Sequence, residues 1–219
     1  TKSYKNEIIQ SRVATVNLLK QVLSNANHTV SQVIAASAVG IYKDSLTIVH
    51  TEESDALNEG FLGEVVKLWE AATTSLSNQQ VKVSQIRIGI VLSKKGGAFT
   101  KMSQPIRLGL GAPFGSGKQW QSWIHLEDLA AIFIFVMQQK LEGVFNAVAP
   151  NPITNKILTK KIAKHYKKPL LLPGIPKFVM KLVLGEMHTI LYESQKVSSD
   201  KIIQLGFNFK YKQIEDFLG

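Results

Sequence analysis

Residues 115–129 read GSGKQWQSWIHLEDL and continue as AAIFIFVM to Met137. A glycine turn carrying Lys118 leads into a polar and aromatic segment, Gln119 to His125. Glu127 and Asp128 then open an unbroken apolar run, Leu129 to Met137. That order predicts a short strand followed by a buried helix, with Asp128 anchoring the helix start, where its charge suits the dipole. The segment before the helix has two readings. Amide, hydroxyl, imidazole and indole groups crowded beside a glycine loop suit the wall of a small-molecule pocket. The same residues also suit an irregular strand that buries Trp120 and Trp123.

Working outward, strand-like and helix-like segments alternate. A helix over 5–24 puts Ile8, Ile9, Val13, Val16, Leu19 and Leu23 on one face. Val30 to Ala36 reads as a buried strand running into the small residues Ser37 to Tyr42, and 43–58 reads as a polar loop. A helix follows over Phe61–Ser75, a strong strand over Lys82–Leu92 (KVSQIRIGIVL) and a helix over Ala98–Leu108. The buried helix at Glu127–Gln139 and a strand at Gly143–Val148 complete the alternation. Repeated strand–helix units predict a mostly parallel, covered α/β sheet. Beyond Pro150 the pattern changes to a Thr154-capped helix ending near Tyr166, an apolar helix over Pro176–Tyr192 and two short helices near the end. The expected division is a sheet domain over 1–150 and a small α+β lobe over 151–219. Ligands of such sheets sit outside the carboxyl ends of the strands.

Composition removes several classes. With no cysteine there is no disulfide framework, thiolate metal site or cysteine nucleophile. The net charge of +10 raises the question of nucleic acid. The densest lysines, Lys160, Lys161, Lys164, Lys167 and Lys168, spread around a helix as a solvated face, and no nucleic-acid-binding motif occurs, so no nucleic-acid partner is expected. No apolar run reaches the roughly 20 residues of a membrane span, and the opening TKSYKNEIIQSR has no signal-peptide core. The expectation is a soluble, cytoplasmic protein with no membrane partner.

The motif search yields near misses. Gly111 to Lys118 resembles a P-loop but has five residues between its glycines, and Gln119 stands where Ser or Thr would hold magnesium. No G-x-G-x-x-G lies between a strand and a helix. The histidines form no ligand pair, so no metal site is expected. His125 has a choice between acid/base work and a structural hydrogen bond. Ser37 either polarises a substrate oxygen or is small for packing.

Taken together, SASAVGIY, FLGEVVKLWEAA, RIGIVLSKKGGAF, GSGKQWQSWIHLEDL, NAVAPNPITNKILTKKIA and SSDKIIQLGFNF resemble the atypical extended short-chain dehydrogenase/reductases of the NAD(P)-dependent epimerase family, the YfcH-like group. The resemblance runs from about Asn6 to the C-terminus. It implies a Rossmann-type, doubly wound parallel sheet, and because the glycine-rich opening β-α-β units are not among these residues, an N-terminally truncated one. It implies NADP or NAD as cofactor and a small-molecule substrate. A sheet lacking those units would expose strand edges, so self-association or a homo-oligomer is expected.

Residue by residue, the resemblance gives Ser37, Gly89, Ile90 and Val91 to the cofactor. It gives Gln119, Trp123 and His125 to the substrate side. Ser37, His125 and Tyr42 are the candidate catalytic groups. The family's usual Tyr-x-x-x-Lys pair is missing from the helix that carries FLGEVVK. The expected function is therefore an atypical NAD(P)-dependent epimerase or oxidoreductase, with a non-catalytic NAD(P)-binding sensor or scaffold as the alternative.

Overall fold

The computed structural model describes residues 1–79 and 81–219. In chain order the strands are β1 Gln32–Ala38, β2 Val49–His50, β3 Lys82–Ile88, β4 Ile90–Ser93, β5 Gly96–Gly97, β6 Trp120–Gln121, β7 Trp123–His125, β8 Gly143–Ala147, β9 Ile153–Thr154 and β10 Lys196–Val197. The α-helices are α1 Lys2–Asn25, α2 Phe61–Thr74, α3 Ala98–Arg107, α4 Leu126–Gln138, α5 Asn155–His165, α6 Lys177–Leu184, α7 Thr189–Tyr192, α8 Asp200–Gln204 and α9 Ile214–Leu218.

The main sheet is parallel, in the order β1-β3-β8. It is covered on both faces, as adjacent residues of β3 show. Ser84 donates to the Leu141 carbonyl beyond α4, while Gln85 donates to the Glu70 carbonyl of α2. Neighbouring side chains of a strand point to opposite faces, so α2 and α4 lie on opposite sides of the sheet. This is the covered parallel sheet that the alternation predicts, in the doubly wound arrangement that the resemblance implies.

Ile86, Ile132, Val136 and Phe145 fill the α4 side, together with Phe207 and Phe209 from the C-terminal segment. A second core joins Leu92, Phe99 and Trp123 to Leu158, Ile162 and Phe217. Burying each such side chain is worth about 1.5–3 kcal/mol before chain entropy is counted. The two cores tie residues beyond 150 to those before it. So do two strand pairings: β9 with β6, and β10 with β2 inside the loop expected at 43–58.

Several boundaries differ from the sequence reading. The first strand extends through Ala38, which puts Ser37 inside it. The run Lys82–Leu92 is two strands. After Gly89 the chain leaves the main sheet, and β4 pairs with β7 instead. The apolar helix over Pro176–Tyr192 is broken at Gly185, whose φ of 57° suits glycine. Asp128 does not cap α4. That role falls to His125, whose Nδ1 accepts the Glu127 N–H at 3.2 Å. The Asp128 carboxylate instead accepts the Lys210 and Tyr211 N–H groups, both at 2.9 Å, and fixes the C-terminal segment against α4.

Candidate functional site

Parallel pairing sets Ser37 of β1 beside Arg87 of β3, and Arg87 beside Asn146 of β8. These three form one row across the carboxyl end of the sheet. Arg87 sits inside the apolar run QIRIGIVL, where a buried guanidinium needs a partner. Glu70 supplies it from α2. Arg87 Nε donates to Glu70 Oε1 and Nη2 donates to Oε2, each at 2.8 Å. Burial works against the Arg87 charge, but the bonds to Glu70 and Tyr42 outweigh it and hold the group above its ordinary range.

The pair organises its neighbours. Ser37 Oγ donates to Glu70 Oε1 at 2.5 Å. Arg87 Nη1 donates to the Tyr42 hydroxyl at 2.9 Å, and that hydroxyl donates its only proton to Asn146 Oδ1 at 2.7 Å. Asn146 N–H then donates to Glu52 Oε1 at 2.7 Å. The Tyr42 ring stacks on His50 at 4.9 Å, and His50 Nε2 pairs with the Lys43 carbonyl. Burial pushes the Tyr42 phenol up to about 12, against the lowering effect of Arg87 and Asn146. Burial likewise raises Glu52 and lowers His50.

Ser37 and Tyr42 are therefore brought together, joined through Glu70 and Arg87. Tyr42 is fully buried, so its hydroxyl presents no face to a ligand. The sequence reading missed Glu70, Arg87, Asn146 and Glu52. The arginine within an apolar strand was the available signal. Its partner, seventeen residues earlier on a helix, was not legible.

The other candidates lie elsewhere. His125 caps α4 and lies 3.7 Å, between ring centroids, from Tyr211. Burial lowers its pKa. Trp123 is fully buried in the apolar core, with its indole N–H on the Asn151 carbonyl. Gln119 is buried and spends its amide N–H groups on the Phe114 and Leu191 carbonyls. Gly89 owes its identity to packing. A Cβ there would stand 2.3 Å from the Ser122 carbonyl oxygen and 2.8 Å from Val148. Ile90 and Val91 are half-buried in β4.

A Tyr-x-x-x-Lys spacing does occur at Tyr192–Lys196. It forms no pair, because Tyr192 donates to the Ile175 carbonyl while Lys196 lies over the Trp120 ring. Among the described residues no cluster of three or more His or carboxylate side chains is placed to hold a metal, and no helix is long and apolar enough to cross a membrane.

Residues 175–219 match a family model described as a domain of unknown function (DUF1731). The chain is 37% identical over 217 residues to an epimerase family protein, the chloroplastic SDR39U1 homolog of Arabidopsis thaliana, and covers 98% of itself and 62% of that protein. It is 34% identical over all 219 residues to the epimerase family protein SERP0438 of Staphylococcus epidermidis, spanning 73% of its length. Among solved structures it superposes on human epimerase family protein SDR39U1 (isoform 2) with NADPH at a TM-score of 0.92 and 30% identity. That match covers 100% of this chain and 74% of the human one. A match of this extent, carried through both the sheet and the C-terminal segment, shows that the chain belongs to the epimerase family of atypical short-chain dehydrogenase/reductases.

Proposed function

We propose that this chain forms the nicotinamide end and the substrate-side lobe of an NAD(P)-dependent, epimerase-like protein acting on a small molecule. The observation that carries the reading is the superposition over its whole length on a relative described with NADPH. The chain's own residues fit one end of such a cofactor. Ala38, Val39 and Gly40 are half-buried at the carboxyl end of β1, outside the buried row, where ligands of parallel sheets bind. A Cβ built on Gly40 would meet only Leu62, at 3.9 Å, so backbone there is open to close approach. The residues present do not include the G-x-G-x-x-G turn that grips a pyrophosphate.

When bound, the nicotinamide supplies hydride exchange. This chain's part is to fix the edge of that site. Glu70 accepts a hydrogen bond from the Ser37 hydroxyl and so fixes its orientation behind the open backbone of residues 38–40. Arg87 holds Glu70 and Tyr42 together, which makes Tyr42 a positioning residue. The sealed Tyr42 hydroxyl, with the missing Tyr-x-x-x-Lys pair on α2, favours a second reading in which the cofactor is bound without turnover. Following dinucleotide oxidation and reduction against sugar nucleotides and carbonyl compounds separates the two. Turnover that falls in Ser37→Ala supports the enzyme. Cofactor binding with no turnover on any of them supports the sensor.

A further inference from the structure

The segment from Leu171 to Met187 exposes apolar side chains to an extent found nowhere else among the described residues. Leu182 is 89% exposed, Leu171 80% and Phe178 73%, and no residue of α6 is buried. Leu170, by contrast, packs against the core and anchors the connection. Gly174 closes it, since a Cβ there would stand 2.0 Å from the Gly115 carbonyl oxygen, and Ile175 N–H donates to the Pro113 carbonyl at 2.8 Å. The patch is therefore held in place by a fixed base.

Cations border this apolar surface. Lys177 and Lys181 lie four residues apart and form one row on α6, and Phe178 and Leu182 form the next row round the helix. Leu172 lines a cavity of about 280 Å³ together with Lys156 and Lys160 of α5. Among the described residues none of these four lysines is in an ion pair. The only acid from Lys177 to Thr189 is Glu186, and it is tied to Lys5 of α1.

We propose that α6 and the Leu171–Leu172 turn seat the protein on an anionic lipid surface. Phe178, Leu182 and Leu171 would enter the headgroup–acyl boundary, with the lysine stems lying alongside and their charges at the phosphates. A second copy of the chain fits the same patch less well, because the buried centres of protein interfaces are depleted in lysine, and here a row of two lysines flanks the apolar anchors. The sequence reading expected no membrane partner because it looked for spans. An interfacial helix needs only one apolar face and a basic flank.

Sedimentation of the chain with sucrose-loaded vesicles tests this, using phosphatidylcholine alone and phosphatidylcholine mixed with phosphatidylglycerol. Binding is expected only to the mixed vesicles and weakens as salt is raised. Leu182→Glu, at a side chain already in water, is expected to weaken it roughly tenfold or more without changing the circular dichroism spectrum. The pair Lys177→Gln and Lys181→Gln, which removes two charges, is expected to weaken it roughly thirtyfold. Leu108→Glu, at a side chain 71% exposed but outside the patch, leaves it unchanged. The proposal is overturned by no sedimentation with mixed vesicles or by undiminished binding of Leu182→Glu. It is also overturned by concentration-dependent self-association that Leu182→Glu abolishes while vesicles capture nothing.

Discussion

Arg87 of the central strand and Glu70 of α2 make a two-pronged ion pair at the carboxyl end of the sheet, with side chains 9% and 11% exposed. Removing one partner leaves the other charge buried alone, which costs about 3–5 kcal/mol. Arg87→Met and Glu70→Leu are each expected to lose about that much unfolding free energy, read from urea denaturation, while the double variant recovers most of the loss. Equal losses in the single and double variants would show that the pair does not organise this region.

Tyr42→Phe removes a hydroxyl that accepts from Arg87 and donates to Asn146. Asn146 Oδ1 loses its donor inside the protein, so the expected cost is about 1–3 kcal/mol. If Tyr42 acts only through position, Tyr42→Phe shifts the denaturation midpoint and leaves the pH profile of any turnover unmoved. A vanished basic limb in that profile would instead make Tyr42 a proton donor.

Burial depresses the pKa of His50 and of His125, so both favour the neutral ring in the folded state. Their contribution to stability is complete above the unfolded histidine value of about 6.5 and is lost as pH falls through the depressed folded values. Thermal midpoints are expected to be flat above about pH 7 and to fall in mildly acid buffer. His50→Gln keeps a donor for the Lys43 carbonyl and is expected to flatten part of that fall. A slope unchanged in His50→Gln combined with His125→Asn would assign the acid sensitivity to other groups.

Gly89→Ala would place a methyl group against the Ser122 carbonyl oxygen, a backbone atom that cannot move aside cheaply. The expected cost is about 1–3 kcal/mol of overpacking, read as a lower urea midpoint. Gly143→Ala has no neighbour to meet, but its φ of 105° makes it a test of backbone strain alone. A neutral Gly89→Ala would mean that β4 and β7 separate more easily than their close approach suggests.

Much of the fold was legible because it rests on local pattern. Alternating apolar strands and amphipathic helices gave the covered parallel sheet, and Thr154 caps α5 as its position suggests. The failures were of pairing. Nothing local says that QIRIGIVL leaves one sheet at Gly89 and enters another, since that depends on a carbonyl more than thirty residues away. Ser37 and Tyr42 stood out in the sequence, whereas the Glu70 and Arg87 that join them did not. Asp128 and His125 were both noticed, but the cap read at Asp128 falls to His125. An acid before an apolar run suits a helix cap, and only the tertiary structure shows it reaching Lys210 and Tyr211. The exposed face of α6 was hidden for the same reason, because apolar composition alone reads as core.

The proposed function puts a nicotinamide at the carboxyl end of β1. Titrating the ¹⁵N-labelled chain with reduced nicotinamide mononucleotide, and separately with NADPH, tests it most directly. The expected result is amide shifts centred on Ser37, Ala38 and Gly40. NADPH is expected to bind little more tightly than the mononucleotide, since these residues include no G-x-G-x-x-G turn for its pyrophosphate. Shifts confined to other parts of the chain, or none at saturating mononucleotide, would rule out a nicotinamide at this strand end.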